Sequence, residues 1–397
     1  AICARAPGAA PRAPHRQRRR RPLLMLLLTS ACSPGVESYT EFVTRSNPPL
    51  PPTLADALAP DTAADLAGLV AENERSLDLL TASRPAAVDV PTADARVAVP
   101  LMVQAVRDWS ADGVSQRATS YTPLVAGLRE RLGAATSAVR VLTPGSGLGR
   151  LAFDIAEEFA GSEIVAVEPD VHSQLFFAQL LQPRPPPEAR GQPVEAHEAC
   201  AAAAAGTAAG GAATRGGRGA APGQLALYPS LHLGNNWAAA EDRLRAVFVP
   251  DVPWQRLARV ERESNISLVV GSFPAAFEGG GTQAAELIGR GFDAVATAYF
   301  ADVMHDLPAA LATLRSLLAP SRGLWVNLGP LVFPEARGSL GGARAPALAY
   351  DQLRRLILSA GFELLEERRL ACEYNHLPRQ LERHINTCFY WAARPAA

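Results

Sequence analysis

Lysine is absent from all 397 positions, so the 38 basic residues are all arginine. Without an ammonium group the chain cannot carry a pyridoxal Schiff base, a Walker-type phosphate lysine or the phosphate-pairing lysine of a protein kinase. Cysteine is sparse: Cys3, Cys32, Cys200, Cys372 and Cys388 are widely spaced, odd in number and include no C-x-x-C pair. That excludes a disulfide framework and a paired-thiol zinc site, and makes a reducing compartment, the cytoplasm or also the nucleus, the expected setting. No apolar run reaches the ~18 residues of a membrane-spanning helix. The nearest approach is Pro22 to Leu28 behind Arg18 to Arg21; it has the order of a signal peptide but a short apolar part, and residues 1–35 are read as a disordered or targeting segment. Charge is also scarce, 19% of residues with a formal net charge of -1. No nucleic-acid or anionic-membrane partner is expected from that balance.

What is present divides into three parts. Residues 36–134 read as a helical region: Leu54, Leu58, Leu66, Leu69, Val70, Leu77 and Leu80 recur at roughly helical spacing, and further helices are expected over 100–109 and 121–132, the second closed by Gly133. From 135 to 395 strands and helices alternate. VRVL (139–142), EIVAVE (163–168), ISLVV (266–270), DAVATAYF (293–300) and GLWVNL (323–328) read as strands buried on both faces, and 151–160, 307–318 and 349–360 as helices. The last two apolar runs, 362–370 and 387–393, read as an antiparallel pair at a sheet edge. The fold class expected is α/β and Rossmann-like, mostly parallel, with an antiparallel C-terminal strand. Residues 183–223 are Pro-rich, then almost pure Ala and Gly, and read as a low-complexity insertion.

The informative motif is VLTPGSGLGRLAF. A strand, a turn carrying Gly145, Gly147 and Gly149, and a helix starting near Arg150 point backbone amides into the crevice at the strand's carboxyl end. The spacing is G-x-G-x-G, whereas dinucleotide binding asks for G-x-G-x-x-G, and Arg150 stands where helix and strand should pack closely. An NAD-dependent oxidoreductase is disfavoured on that ground. A tight loop followed by Glu168 at the next strand end suits S-adenosyl-L-methionine, which has a ribose for the carboxylate but no pyrophosphate.

The same run, together with VQAVRDWS (103–110), NNWAAAEDRLRAVFVPDV (235–252), FDAVATAYFADVMHD (292–306), WVNLGPLVF (325–333) and the tyrosine-containing tail at 374, resembles the carnosine N-methyltransferase family over roughly residues 40–395. The resemblance implies a class I methyltransferase domain, S-adenosyl-L-methionine as donor, and methylation of an imidazole nitrogen of a histidine-containing dipeptide. It implies Gln104, Arg107, Gly145, Glu168 and Phe273 as donor-binding positions, the arginine being able to pair with the methionine carboxylate bidentately. It implies Asp302 as the aspartate that holds the imidazole, and Tyr374 as a substrate-facing tyrosine. A carboxylate accepting the imidazole N–H fixes the tautomer and aims the lone pair at the methyl; the structural alternative for Asp302 is the N-cap of the following helix. The neighbouring His305–Asp306 pair is read as local capping, and no metal is assigned. Three positions depart from the family pattern. Ser272 replaces an adenine-facing aspartate, Pro334 replaces a histidine, and Asn386 stands where a tyrosine is expected on the substrate wall. They motivate the alternative of a non-catalytic methyltransferase-fold binding protein.

Overall fold

The computed structural model describes residues 37–47, 61–81, 94–133, 138–182, 221, 223–278, 289–304, 306–319, 323–333 and 347–396. Among the described residues four α-helices come first: α1 (Tyr39–Ser46), α2 (Asp61–Leu80), α3 (Ala95–Trp109) and α4 (Val114–Leu132). After them follow β1 (Arg140–Pro144), α5 (Arg150–Glu158), β2 (Glu163–Glu168), α6 (Val171–Leu180), β3 (Leu225–Leu227), β4 (Val247–Val249), α7 (Trp254–Glu263), β5 (Asn265–Val270) and β6 (Ala294–Ala298). The chain closes with α8 (Leu307–Leu317), β7 (Leu324–Gly329), α9 (Tyr350–Ser359), β8 (Phe362–Glu373) and β9 (Ile385–Pro395). Seven strands form one sheet in the order β5-β2-β1-β6-β7-β9-β8; β9 is antiparallel to β7 and to β8, and the other pairings are parallel. This is the expected α/β, Rossmann-like architecture, with its switch point at β1, where the order reverses between β2 and β6.

The central strands β1, β2, β6 and β7 are buried on both faces because their positions are largely apolar without alternation. Val141, Ile164 and Ala294 join one hydrophobic cluster, with residues of α1 to α7. Their successors Leu142, Val165 and Val295 join another, with α8 and α9. Alternating strand residues thus feed two cores, as a sheet between helical layers requires.

Several boundaries differ from the sequence expectation. α3 begins at Ala95, not at residue 100, and carries Pro100 inside it; Asp94 caps it through Arg96 N (2.9 Å), and the buried Leu101, Met102 and Ala105 anchor the helix against the loss of one ladder bond. α4 begins seven residues before the expected position 121, with Pro123 inside it. The antiparallel pair β3–β4 and helix α7 are additional to it. The insertion at 183–223 lies almost entirely outside the described residues, as do the segment 1–35, His305 and Pro334. Among the described residues no helix is long and apolar enough to cross a membrane.

The N-cap of α8 is Asp306, whose Oδ1 accepts from Ala309 N at 2.9 Å; Asp302 does not cap it. Asp306→Ala should lower stability by about 0.5–2 kcal/mol in chemical denaturation and leave turnover per folded molecule unchanged.

Candidate functional site

At the carboxyl ends of β1, β2 and β6, under α3, lies a cavity of about 530 Å³. All three loop glycines are in the left-handed region, with φ of 63° at Gly145, 51° at Gly147 and 79° at Gly149. Each faces a close neighbour: a Cβ on Gly145 would overlap the Phe300 ring, one on Gly149 the Phe177 ring, and one on Gly147 would stand 3.2 Å from Gln104 Oε1 and 3.9 Å from Arg107 Nη2. The loop therefore needs glycine for both conformation and space.

Glu168 ends β2 and closes the loop from the other side. Its Oε2 accepts from Gly147 N (2.9 Å) and its Oε1 from Asp170 N (3.1 Å). Burial raises its pKa, and the two amide donors oppose that rise. Each oxygen keeps a further lone pair for a diol. Asp170 continues the wall and caps α6 through Ser173 N (2.9 Å).

Gln104 and Arg107 enter the cavity from α3. The Arg107 fork is already used within the chain: Nε and Nη2 donate to Asp108 Oδ1 (2.7 Å) and Oδ2 (2.9 Å), and Nη1 donates to Asn375 Oδ1 (3.2 Å). Burial disfavours its charge but Asp108 outweighs this and holds the pKa well above the ordinary value. The side-on edge of the guanidinium, Nε with Nη2, is thus taken by Asp108. Of five N–H donors, the two left over are on Nη1 and Nη2, which leaves end-on contact. Asp108 is almost fully buried and also accepts from Tyr121 Oη (2.8 Å).

The opposite wall is aromatic. Phe273 packs edge-on against Phe300, centroids 5.9 Å apart, and Ser272 lines the cavity beside it at an exposed position. Tyr299 leaves β6 with φ of 52°, which breaks the strand alternation, so Ala298, Tyr299 and Phe300 all line the cavity. Its ring lies 4.4 Å from that of Tyr374, and the Arg107 guanidinium stands 5.5 Å from the Tyr374 centroid. A bulky residue at positive φ is strained, and such strain gathers at functional sites.

Asp302 is buried beside the cavity and is not among its lining residues, although Val303 is. Its Oδ2 accepts from Val332 N (2.9 Å) in the turn after β7. Burial raises its pKa, partly offset by backbone donors at Val332, Asp302 itself and Phe333. Asn386 lies on β9 opposite Cys372 and is also outside the lining. Seven of the nine expected donor and acceptor positions named above, Gln104, Arg107, Gly145, Gly147, Glu168, Phe273 and Tyr374, line one cavity. Gly149 supports it from behind, and Asp302 adjoins it.

Asp108, Tyr121 and Tyr299 were not singled out from sequence. Asp108 had a usable signal, an acid followed by Trp109 at the end of an apolar helix face; Tyr299 sat inside an apolar run with none.

The carnosine N-methyltransferase family model matches residues 85–181 and 218–397. The carnosine N-methyltransferase of Schizosaccharomyces pombe is 28% identical over 305 residues, 73% of this chain and 68% of that protein. That of Rattus norvegicus is 27% identical over 270 residues, 67% of this chain and 54% of the protein. That of Dictyostelium discoideum is 24% identical over 293 residues, 72% of this chain and 52% of the protein. The match spans about two thirds of the first relative and about half of the other two. With most of its length matched by the family model, and with that match taking in the glycine loop, Glu168, the arginine-bearing helix and the tyrosine tail, the chain belongs to the carnosine N-methyltransferase family.

Proposed function

We propose that this chain transfers a methyl group from S-adenosyl-L-methionine to an imidazole nitrogen of a small histidine-containing molecule, a carnosine-like dipeptide being the leading candidate. The observation that carries the reading is the convergence of the glycine loop with Glu168, of Gln104 with Arg107, and of the Tyr299–Tyr374 pair on one cavity. The two Cβ-free positions that line the cavity, Gly145 and Gly147, fit a donor that approaches the loop backbone closely. When bound, the donor supplies a methyl already activated by its sulfonium, so positioning carries most of the remaining catalysis.

Glu168 offers its remaining lone pairs to the ribose hydroxyls, and Phe273 with Phe300 supplies an apolar face for the base. Gln104 and the two remaining Arg107 N–H groups meet the amino acid end. The packed Tyr299–Tyr374 pair offers an aromatic face to a flat ring and favours the cation that grows on it. Asp302 accepts the N–H of the neutral imidazole, which leaves the other nitrogen's lone pair to attack.

Acid should abolish the reaction for two reasons of the same sign. Below an imidazole pKa of roughly 6.5 the acceptor loses its lone pair, and Asp302, with its raised pKa, regains a proton and ceases to accept. The rate should therefore fall as pH drops, with donor binding weakening in the same direction once Glu168, whose pKa is also raised by burial, takes up its proton. The deciding experiment combines calorimetry and mass spectrometry: the purified chain should bind S-adenosylhomocysteine and ignore NAD, and should add one methyl to carnosine. Donor binding without transfer to any imidazole compound would favour the binding-protein reading that Ser272 and Asn386 motivate.

A further inference from the structure

The last carbonyls of an α-helix lack partners within the helix, and those of α3, the helix that brings Gln104 and Arg107 to the cavity, are met by groups from outside it. Arg107 O and Ser110 O accept from Arg117 Nη1 at 2.6 and 2.9 Å. Asp108 O accepts from Arg150 Nη1 at 2.8 Å, and Trp109 O from Asp251 N at 2.7 Å. Arg150 is the residue directly after Gly149, so the same guanidinium joins the helix end to the glycine loop. Trp109 adds a second tie, donating from Nε1 to Leu148 O at 2.9 Å.

Asp251, in the loop after β4, is the node of this arrangement. Its Oδ2 accepts from Arg117 Nη2 and its Oδ1 from Arg150 Nη1 at 2.9 Å. The side chains of Arg117, Arg150 and Asp251 are 7%, 9% and 12% exposed, so little solvent screens the repulsion between the two cations. Asp251 does not line the cavity.

We propose that Asp251 is a positioning residue for the donor: by holding Arg117 and Arg150 together it sets the spacing between the Gln104–Arg107 face of α3 and the glycine loop. The inference rests on the proposed donor site. It follows from the asymmetry of the two arginines. Arg150 keeps a second acid, with Nε on Asp154 Oδ1 at 2.8 Å, whereas among the described residues Asp251 is the acid that Arg117 pairs with. Neutralising Asp251 therefore frees Arg117, and with it the two carbonyl bonds that close the turn carrying Arg107. Gly147 then loses its fixed distance from Gln104 and Arg107.

The test compares wild type with Asp251→Asn. S-adenosylhomocysteine should bind the variant about tenfold or more weakly, while kcat at saturating donor stays within about threefold. Crossed with Gln104→Ala, the two losses in donor affinity should be strongly non-additive, since both act on one spacing. Hydrogen exchange on the ligand-free chain should speed up together in segments 104–110 and 145–150. If Asp251→Asn is insoluble, Arg117→Lys, which keeps the charge and loses the fork, carries the same measurements. A lower melting temperature with unchanged affinity, additive losses, or unchanged exchange in the loop would each overturn the proposal. Wild type that binds no S-adenosylhomocysteine would count against the donor site itself, and the exchange result would still decide the link between Asp251 and the loop.

Discussion

Asp302→Asn is expected to abolish most methyl transfer, by about 10²-fold or more, in a protein whose melting temperature is equal to or above that of wild type. The stability side follows from the raised pKa of the buried Asp302 carboxyl. A carboxyl that binds its proton more tightly folded than unfolded favours folding at low pH. This contribution is lost as pH rises from the unfolded value of about 3.9 to the raised folded value, so at neutral pH the ionised group costs stability. Asparagine is neutral, and its side-chain oxygen can still accept from Val332 N, the bond that Asp302 makes at 2.9 Å. The turn after β7 should therefore hold. The functional side has the opposite sign: an amide gives a weaker acceptor for the imidazole N–H and no charge to balance the imidazolium formed on transfer. Donor affinity should change little, because Asp302 is not among the residues that line the cavity with Gly145, Gly147 and Glu168. A drop in melting temperature with turnover per folded molecule intact would mean that Asp302 only fastens the turn.

The parts legible in sequence were those set by local chemistry. The strands could be read because residues buried on both faces are apolar without alternation: EIVAVE matches β2 residue for residue, and ISLVV misses β5 by one position. The glycine loop could be read because three positive φ values at this spacing admit only small residues. Helix starts failed where proline misled, since Pro100 and Pro123 sit inside α3 and α4 rather than at their first turns. Packing from the sheet and its neighbours outweighed a local penalty there. The strands β3 and β4, three residues each, are too short to show a period. Most of what escaped involved partners far apart in the chain. The third nitrogen of Arg107 is held by Asn375, 268 positions away, while its fork is gripped by the adjacent Asp108, whose side chain a sequence does not aim. Arg150 looked like a misfit for close packing, yet its guanidinium turns outward onto the Trp109 ring at 5.1 Å and bridges Asp108 O and Asp251.

Asp108→Ala should be among the most damaging substitutions in the chain. Asp108 is 1% exposed and Arg107 6%, so the change leaves a guanidinium in the interior without its counter-charge and removes the acceptor for Tyr121 Oη. Breaking one side of such a buried pair costs about 3–5 kcal/mol, which denaturant titration would resolve easily. Asp108→Asn should cost less, because an amide oxygen in the place of Oδ1 keeps two of the three acceptor contacts, those from Arg107 Nε and Tyr121 Oη. The same variants decide what the Arg107–Asp108 pair does for the donor. If Asp108 presents the Arg107 end to the cavity, S-adenosylhomocysteine should bind the folded fraction of Asp108→Asn more weakly, since a cation without its orienting partner spends less time facing the ligand. If the donor's carboxylate instead competes with Asp108 for the fork, removing the competitor should strengthen binding. The first outcome is expected, because Asp108 holds two of the five N–H groups while Asn375 holds a third, and together they leave only one orientation of the guanidinium plane. Tighter binding by Asp108→Asn would show that the fork opens to receive the donor and that Asp108 restrains it.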